Sequence, residues 1–146
     1  MKVKKIKKMN YKIVAKYIKK LKFGIPNPDV FFLLTDNIKN YKINIDIKSS
    51  QVKNNLIEIE TALNLKTYKS NGEKIEAEVS YSAIVELGTN TKKEDLKKIV
   101  LIDVPTKIYP TLRETFMSIF EKSGFKEIIV EEEIDFETLS KKQNIQ

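Results

Sequence analysis

Val104–Phe125, VPTKIYPTLRETFMSIFEKSGF, is the most informative stretch of this chain. Ile108, Leu112, Phe116, Ile119 and Phe120 recur at spacings of three and four, which align on one face of an α-helix. Pro105 has no N–H to lose and suits the first turn of that helix. Pro110 would be costly deep inside, but is tolerable in the first turn or two, where it can bend the axis. Gly124 offers the left-handed conformation that stops a helix. The segment predicts one long helix with an apolar stripe.

The partner for that stripe lies upstream. Tyr41, Ile43, Ile45 and Ile47 alternate with Lys42, Asn44, Asp46 and Lys48, the period of a half-buried strand. Ser49 to Asn55 reads as a turn. Ile57, Ile59, Thr61, Leu63 and Leu65 repeat the alternation. Ser70-Asn71-Gly72 is a hairpin signal, because Asn-Gly readily takes positive φ. A third run follows through Ile75, Ala77, Val79, Tyr81, Ala83, Val85 and Leu87, ending at Gly88. Together these predict an antiparallel meander with one face buried and one wet. Thr91 and Glu94 have capping-box spacing for a short helix over about 92–101. Beyond the long helix, 126–134 is extended and acidic. Asp135 caps a last helix through about Lys142, with Phe136 and Leu139 on one side. Glu131, Glu132 and Glu133 lie near its positive end.

Two regions stay ambiguous. Gly24–Asn40 carries Pro26 and Pro28, then Val30-Phe31-Phe32-Leu33-Leu34, and reads as a long crossover loop with an apolar patch. Those side chains either pack beneath the loop as core or line a groove. Residues 11–23 place Ile13, Val14, Tyr17, Ile18 and Leu21 at helical spacing, while Ile13, Ala15, Tyr17, Leu21 and Phe23 alternate less cleanly as a strand.

Composition narrows the function. A chain of 146 residues with 41% apolar and 32% charged side chains suits one folded domain, here 11–146 behind a basic tail over 1–10. With no cysteine, disulfides and thiolate metal sites are ruled out, as in an ordinary intracellular protein. With no histidine, the commonest general base and metal ligand are missing, and no carboxylate pair stands out as a catalyst. The four glycines are scattered, so no phosphate loop is present. No apolar run is long enough to cross a membrane, and the N-terminus lacks the apolar core of a secretory signal. Net charge is +7, but five lysines lie in the first eight residues, and without them the excess falls to +2. Met9 also reads as an alternative start. Nucleic-acid binding is therefore disfavoured, the more so because Arg113 is the single arginine and no aromatics line the wet strand faces.

The succession Val104-Pro105, Tyr109-Pro110, Arg113-Glu114, Gly124-Phe125 and Ile134-Asp135-Phe136 resembles the SecB-type protein-export chaperones over roughly 11–142. Ser49-Ser50-Gln51 and Glu76-Ala77-Glu78-Val79 add weaker support. The resemblance favours a first strand over 11–23. It implies an α+β fold: a four-stranded antiparallel Greek-key sheet with two C-terminal helices on one face, assembling as a dimer of dimers. It implies a cytoplasmic, ATP-independent holdase without cofactor or metal, which binds unfolded preproteins and passes them to the SecA motor ATPase. By matching region, the client groove would use Phe31, Phe32, Leu33, Leu34, Tyr81, Phe136 and Leu139. Motor docking would use Glu76, Glu78 and Glu86. Pairing of the long helix between copies would use Ile108, Leu112, Phe116, Ile119 and Phe120; the alternative is that these simply pack on their own sheet. The family's acidic docking positions in the first strand read Lys20 and Gly24 here. A chaperone of the same fold serving a toxin–antitoxin pair is the nearest rival, and a basic nucleic-acid-binding module the more distant one.

Overall fold

The computed structural model describes residues 10–66, 76–126 and 128–143. The basic tail and the Ser70-Asn71-Gly72 hairpin signal lie outside the described residues. Four strands, β1 (Tyr11–Gly24), β2 (Lys42–Lys53), β3 (Leu56–Lys66) and β4 (Glu76–Leu87), form one sheet in the order β1-β4-β3-β2. Every neighbouring pair is antiparallel. The helices are α1 (Pro28–Asn37), α2 (Lys93–Lys98), α3 (Val104–Lys122) and α4 (Phe136–Gln143). The result is an α+β fold with α3 lying on β3 and β4.

The strand periodicity is realised because α3 covers one face of the sheet. Ile59, Leu63, Val79, Ala83 and Val85 point to that face and are buried. Against them α3 sets Ile108, Leu112, Phe116 and Phe120, each no more than 1% exposed. Phe23, near the end of β1, meets the Phe120 ring edge-on with centroids 5.1 Å apart. A fully buried phenylalanine of this kind contributes about 1.5–3 kcal/mol through removal from water. Pro105 sits in the first turn of α3, while Pro110 lies on its exposed side.

Several expectations change. Residues 24–40 are not a loop: α1 is followed by a 3-10 turn over Ile38–Asn40. Pro28 occupies the first helical turn, where a missing N–H costs nothing, and Asn27 Oδ1 accepts the Val30 N–H at 2.9 Å. The expected turn over 49–55 is mostly strand, since β2 runs to Lys53 and the reversal is confined to Asn54 and Asn55. Asn54 supplies the left-handed backbone there with φ 47°. No capping box forms at Thr91, whose hydroxyl donates to the Gly88 carbonyl at 2.6 Å instead. Lys92 is the N-cap of α2, with no side-chain cap, and a π-helical turn over Ile99–Asp103 leads straight into α3. Asp135 does cap α4: its carboxylate accepts the Thr138 N–H at 3.1 Å and is held below the usual carboxylate range by the Thr138 backbone and hydroxyl.

Candidate functional site

Three surfaces remain once the core is closed. The first is on α1. Val30 and Leu34 face inward and are buried, whereas Phe32 is 63% and Leu33 47% exposed. Between them Phe31 anchors the helix, with its ring 4.9 Å from Phe125 and 5.7 Å from Phe32. Phe125 in turn lies 5.9 Å from Phe120, so a chain of aromatic contacts joins the exposed Phe32 to the core. Gly124 makes this possible twice over. Its φ of +98° is unfavourable for other residues, and a Cβ there would stand 3.3 Å from the Phe31 ring.

The connection 126–135 runs back along α3. It is pinned where Arg113 Nε donates to the Val130 carbonyl at 3.2 Å and where the Tyr109 hydroxyl donates to the Glu131 carbonyl. Burial pushes the Tyr109 hydroxyl pKa up, which further favours the protonated donor form that any tyrosine has at neutral pH. Ile128 and Val130 are buried and Ile129 between them is 64% exposed. The sequence reading missed Ile129; the alternation Ile128, Ile129, Val130 in an extended stretch carried the signal, since one of three consecutive apolar residues must point away.

The residues assigned to one groove are thus divided. Phe31, Phe32 and Leu33 share α1 at the C-terminal end of α3. Leu34 is core. Phe136 is core as well, only 2% exposed, with its ring 5.9 Å from that of Tyr109 near the other end of α3. Tyr109 and Phe120 are separated by roughly 16 Å along the helix axis. Leu139 is half-buried against the core on α4. Tyr81 is half-buried in the sheet face beneath the helices, opposite Ile18 and Thr61. Helical periodicity also misled for the interface. Ile108, Leu112, Phe116 and Phe120 lie in this chain's own core and have almost no accessible surface left for a second copy; Ile119 alone of that set is half-exposed.

The second surface is the edge of β1. Val14, Ile18 and Leu21 are 45–53% exposed. β1 pairs with β4 on one side only, so its other backbone edge is free among the described residues. Bulges at Ile13/Ala15 and Ile18/Lys20 shift its register.

The third surface is the open sheet face. Tyr17 donates to Glu58, and Lys19 Nζ lies 2.7 Å from Glu58 and 3.7 Å from Glu60. These bonds from Lys19 and Tyr17 hold the Glu58 pKa below its ordinary value. The docking candidates share this face. Glu78 sits opposite Lys22, Glu86 opposite Lys12 and Glu76 opposite Gly24. Lys20 on the same face stands opposite Ser80. Most of the acidic residues therefore have a lysine across the strand pair.

A family model described as "Preprotein translocase subunit SecB" matches residues 4–146. The chain belongs to the SecB family. It is 37% identical over 135 residues to the putative protein-export protein SecB of Pelagibacter ubique (strain HTCC1062), covering 92% of this chain and 96% of that one. It is 31% identical over 126 residues to the protein-export protein SecB of Orientia tsutsugamushi (strain Boryong), covering 85% and 77%. Among solved structures it is similar to a Mycobacterium tuberculosis SecB-like chaperone in complex with a ChAD peptide from the HigA1 antitoxin. The TM-score is 0.59 at 10% identity, over 84% of this chain and 86% of that one, a likeness of fold. Membership of the SecB family makes the chain a protein-export chaperone rather than an enzyme. No described helix is long and apolar enough to cross a membrane.

Proposed function

We propose that this SecB-family chain is an ATP-independent holdase that binds unfolded preproteins in the cytoplasm through the α1 surface and passes them to a SecA-type motor. The observation that carries the reading is the exposure of Phe32 and Leu33, at 63% and 47%, on a helix whose other apolar residues are tied into the core. Apolar side chains that the fold does not need are available to non-native chains, and binding the unfolded state preferentially draws the folding equilibrium away from native. Ile129 extends the apolar surface, and the client-binding set becomes Phe31, Phe32, Leu33 and Ile129. Tyr81 and Leu139, each half-covered, are secondary.

The strand order, with a long connection from β1 to β2, supports reading the sheet as a Greek key. The free β1 edge with Val14, Ile18 and Leu21 supports joining of sheets between copies, and the outer side of α3, including Ile119, supports pairing of dimers into a tetramer. Motor docking falls to Glu76, Glu78 and Glu86 on the open face. The lysines opposite Glu78 and Glu86 weaken the attraction for a basic partner, so Glu76 contributes most.

Aggregation of a denatured client tests the reading. The protein should suppress it without nucleotide, and Phe32→Ser/Leu33→Ser should bind the client several-fold more weakly with unchanged assembly. A variant that binds as well as the parent would reject the α1 surface. A chaperone dedicated to one toxin–antitoxin pair would use the same surface but protect only that antitoxin among many denatured proteins. The relatives named for protein export favour the general reading.

A further inference from the structure

The open sheet face holds a polar site that the docking candidates leave out. Glu58 and Glu60 alternate with Ile59 on β3, so both point to that face. Their side chains are only 12% and 13% exposed, low for carboxylates on an uncovered face. On the neighbouring strand β4, Ser82 stands opposite Glu60 on one side and Tyr17 on the other. Ser80, next to it on the same face, stands opposite Ala62 and Lys20. Both serines are buried, and their hydroxyl oxygens have no hydrogen-bond partner, though Ser82 lies close to Glu58 and Tyr17.

Lys19 and Tyr17 close the site from above. The bulge between Ile18 and Lys20 makes Lys19 an extra residue with no partner on β4. A bulge re-aims the side chains around it, and here Lys19 as well as Lys20 serves the open face. Lys19 reaches across β4 to β3, where its Nζ lies 2.7 Å from Glu58 and 3.7 Å from Glu60. Tyr17 crosses beside it and donates to Glu58. Glu58 is therefore supplied with donors. Glu60 is not, because 3.7 Å is an ion pair but too long for a hydrogen bond. Lys48, opposite Glu60 on β2, and Lys20 form no ion pair with it, and Asp46, opposite Ala62, adds a further acid on the β2 side. Two carboxylates share one ammonium, and the hydroxyls beneath it are left without partners. An ammonium is a point charge, whereas a guanidinium presents more N–H donors in a planar fork that matches carboxylates.

We infer that Glu58, Glu60, Ser80 and Ser82 form a binding site for an arginine side chain from a basic segment of the docking partner, and that Lys19 is the site's built-in occupant. The inference rests on the reading of the open face as a docking surface, but it assigns acids of β3 rather than those of β4. On docking, the guanidinium takes the place of Lys19 between the two carboxylates, and Lys19 turns out to solvent. One cation replaces another, so the charge at the acid pair is unchanged. The gain comes from hydrogen bonds to Glu60 and the serine hydroxyls that Lys19 does not make. Lys19 thereby sets specificity. A segment offering lysine gains little over the internal occupant, whereas one offering arginine displaces it.

NMR titration of the full chain at low salt with two peptides, Ala-Arg-Ala-Arg-Ala and Ala-Lys-Ala-Lys-Ala, tests the site. The arginine peptide should bind several-fold more tightly and shift the amide signals of Glu60, Ser80 and Ser82. Lys19→Met should raise the affinity for both peptides several-fold. Lys12→Met removes the same charge from the same face and should raise it far less. Ser80→Ala/Ser82→Ala should erase the preference for arginine and spare lysine binding, and Glu60→Gln should weaken arginine binding several-fold. Equal affinity for the two peptides, a Lys19→Met gain no larger than that of Lys12→Met, or a preference that survives both serine substitutions would each overturn the inference. The peptides carry no motor sequence. Loss of motor binding with these titrations unchanged would count against the docking reading alone, and the reverse against the arginine site alone.

Discussion

Helices α1 and α3 face the same core and use it differently. On α3, Ile108, Leu112, Phe116 and Phe120 all turn inward, and the helix leaves Ile119 and Met117 half-covered. On α1, Val30 and Leu34 turn inward while Phe32 and Leu33 stay in water. Stability therefore resides in α3 and the sheet, and the client binding proposed for α1 would rest on side chains that stability does not require. Substitutions in the two helices should have opposite signatures.

The largest effect on folding is expected from Phe116→Ala. Removing that ring from the α3–sheet interface should cost about 3–5 kcal/mol in urea unfolding. Phe32→Ala should stay within about 0.5 kcal/mol of the parent, because its ring is mostly hydrated already. Equal losses at the two positions would dissolve the contrast. Gly124→Ala should come next, at about 1–2 kcal/mol, since its backbone has positive φ. It should also weaken client binding, because the added methyl meets the Phe31 ring that anchors α1. A loss of stability with unaltered binding would show that Phe31 does not set the position of Phe32. Asn27→Ala removes the α1 cap and should cost about 1 kcal/mol in thermal melts, with client affinity reduced as the helix start frays.

The gentlest test concerns the open face. Glu58 has a folded-state pKa lowered by Lys19 and Tyr17, so its stabilising contribution is complete above the ordinary carboxylate pKa. It is lost as pH falls through the lowered value. Glu58→Gln should flatten the decline of melting temperature on acidification while leaving client binding unchanged. An unaltered slope would show that the bonds from Lys19 and Tyr17 to Glu58 do not contribute to acid stability.

What could be read in advance follows the same division. The strands were legible because Ile43 to Ile47, Ile57 to Leu65 and Ala77 to Val85 alternate, and a sheet covered on one side imposes that period. The long helix was legible from Ile108 to Phe120. α1 was hidden, since five consecutive apolar residues have no period and Pro26 and Pro28 look like breakers until one sits in a first turn. Periodicity identifies a face but not what covers it. That is why the sequence points to Leu34 and Phe136 as groove and to the α3 stripe as an interface, whereas all of them pack inside one chain. The lysines opposite Glu78 and Glu86 became visible only with the β1–β4 register, which two bulges shift.

The central claim is that exposed apolar side chains on α1 hold non-native polypeptide. The most direct measurement is equilibrium binding of a fluorescently labelled, permanently unfolded client to the parent and to Phe32→Ser/Leu33→Ser, without nucleotide, with melting temperature and oligomeric mass recorded on the same samples. Several-fold weaker binding by the variant is expected, with both controls unchanged. Equal affinity in a variant of equal stability and mass would contradict it.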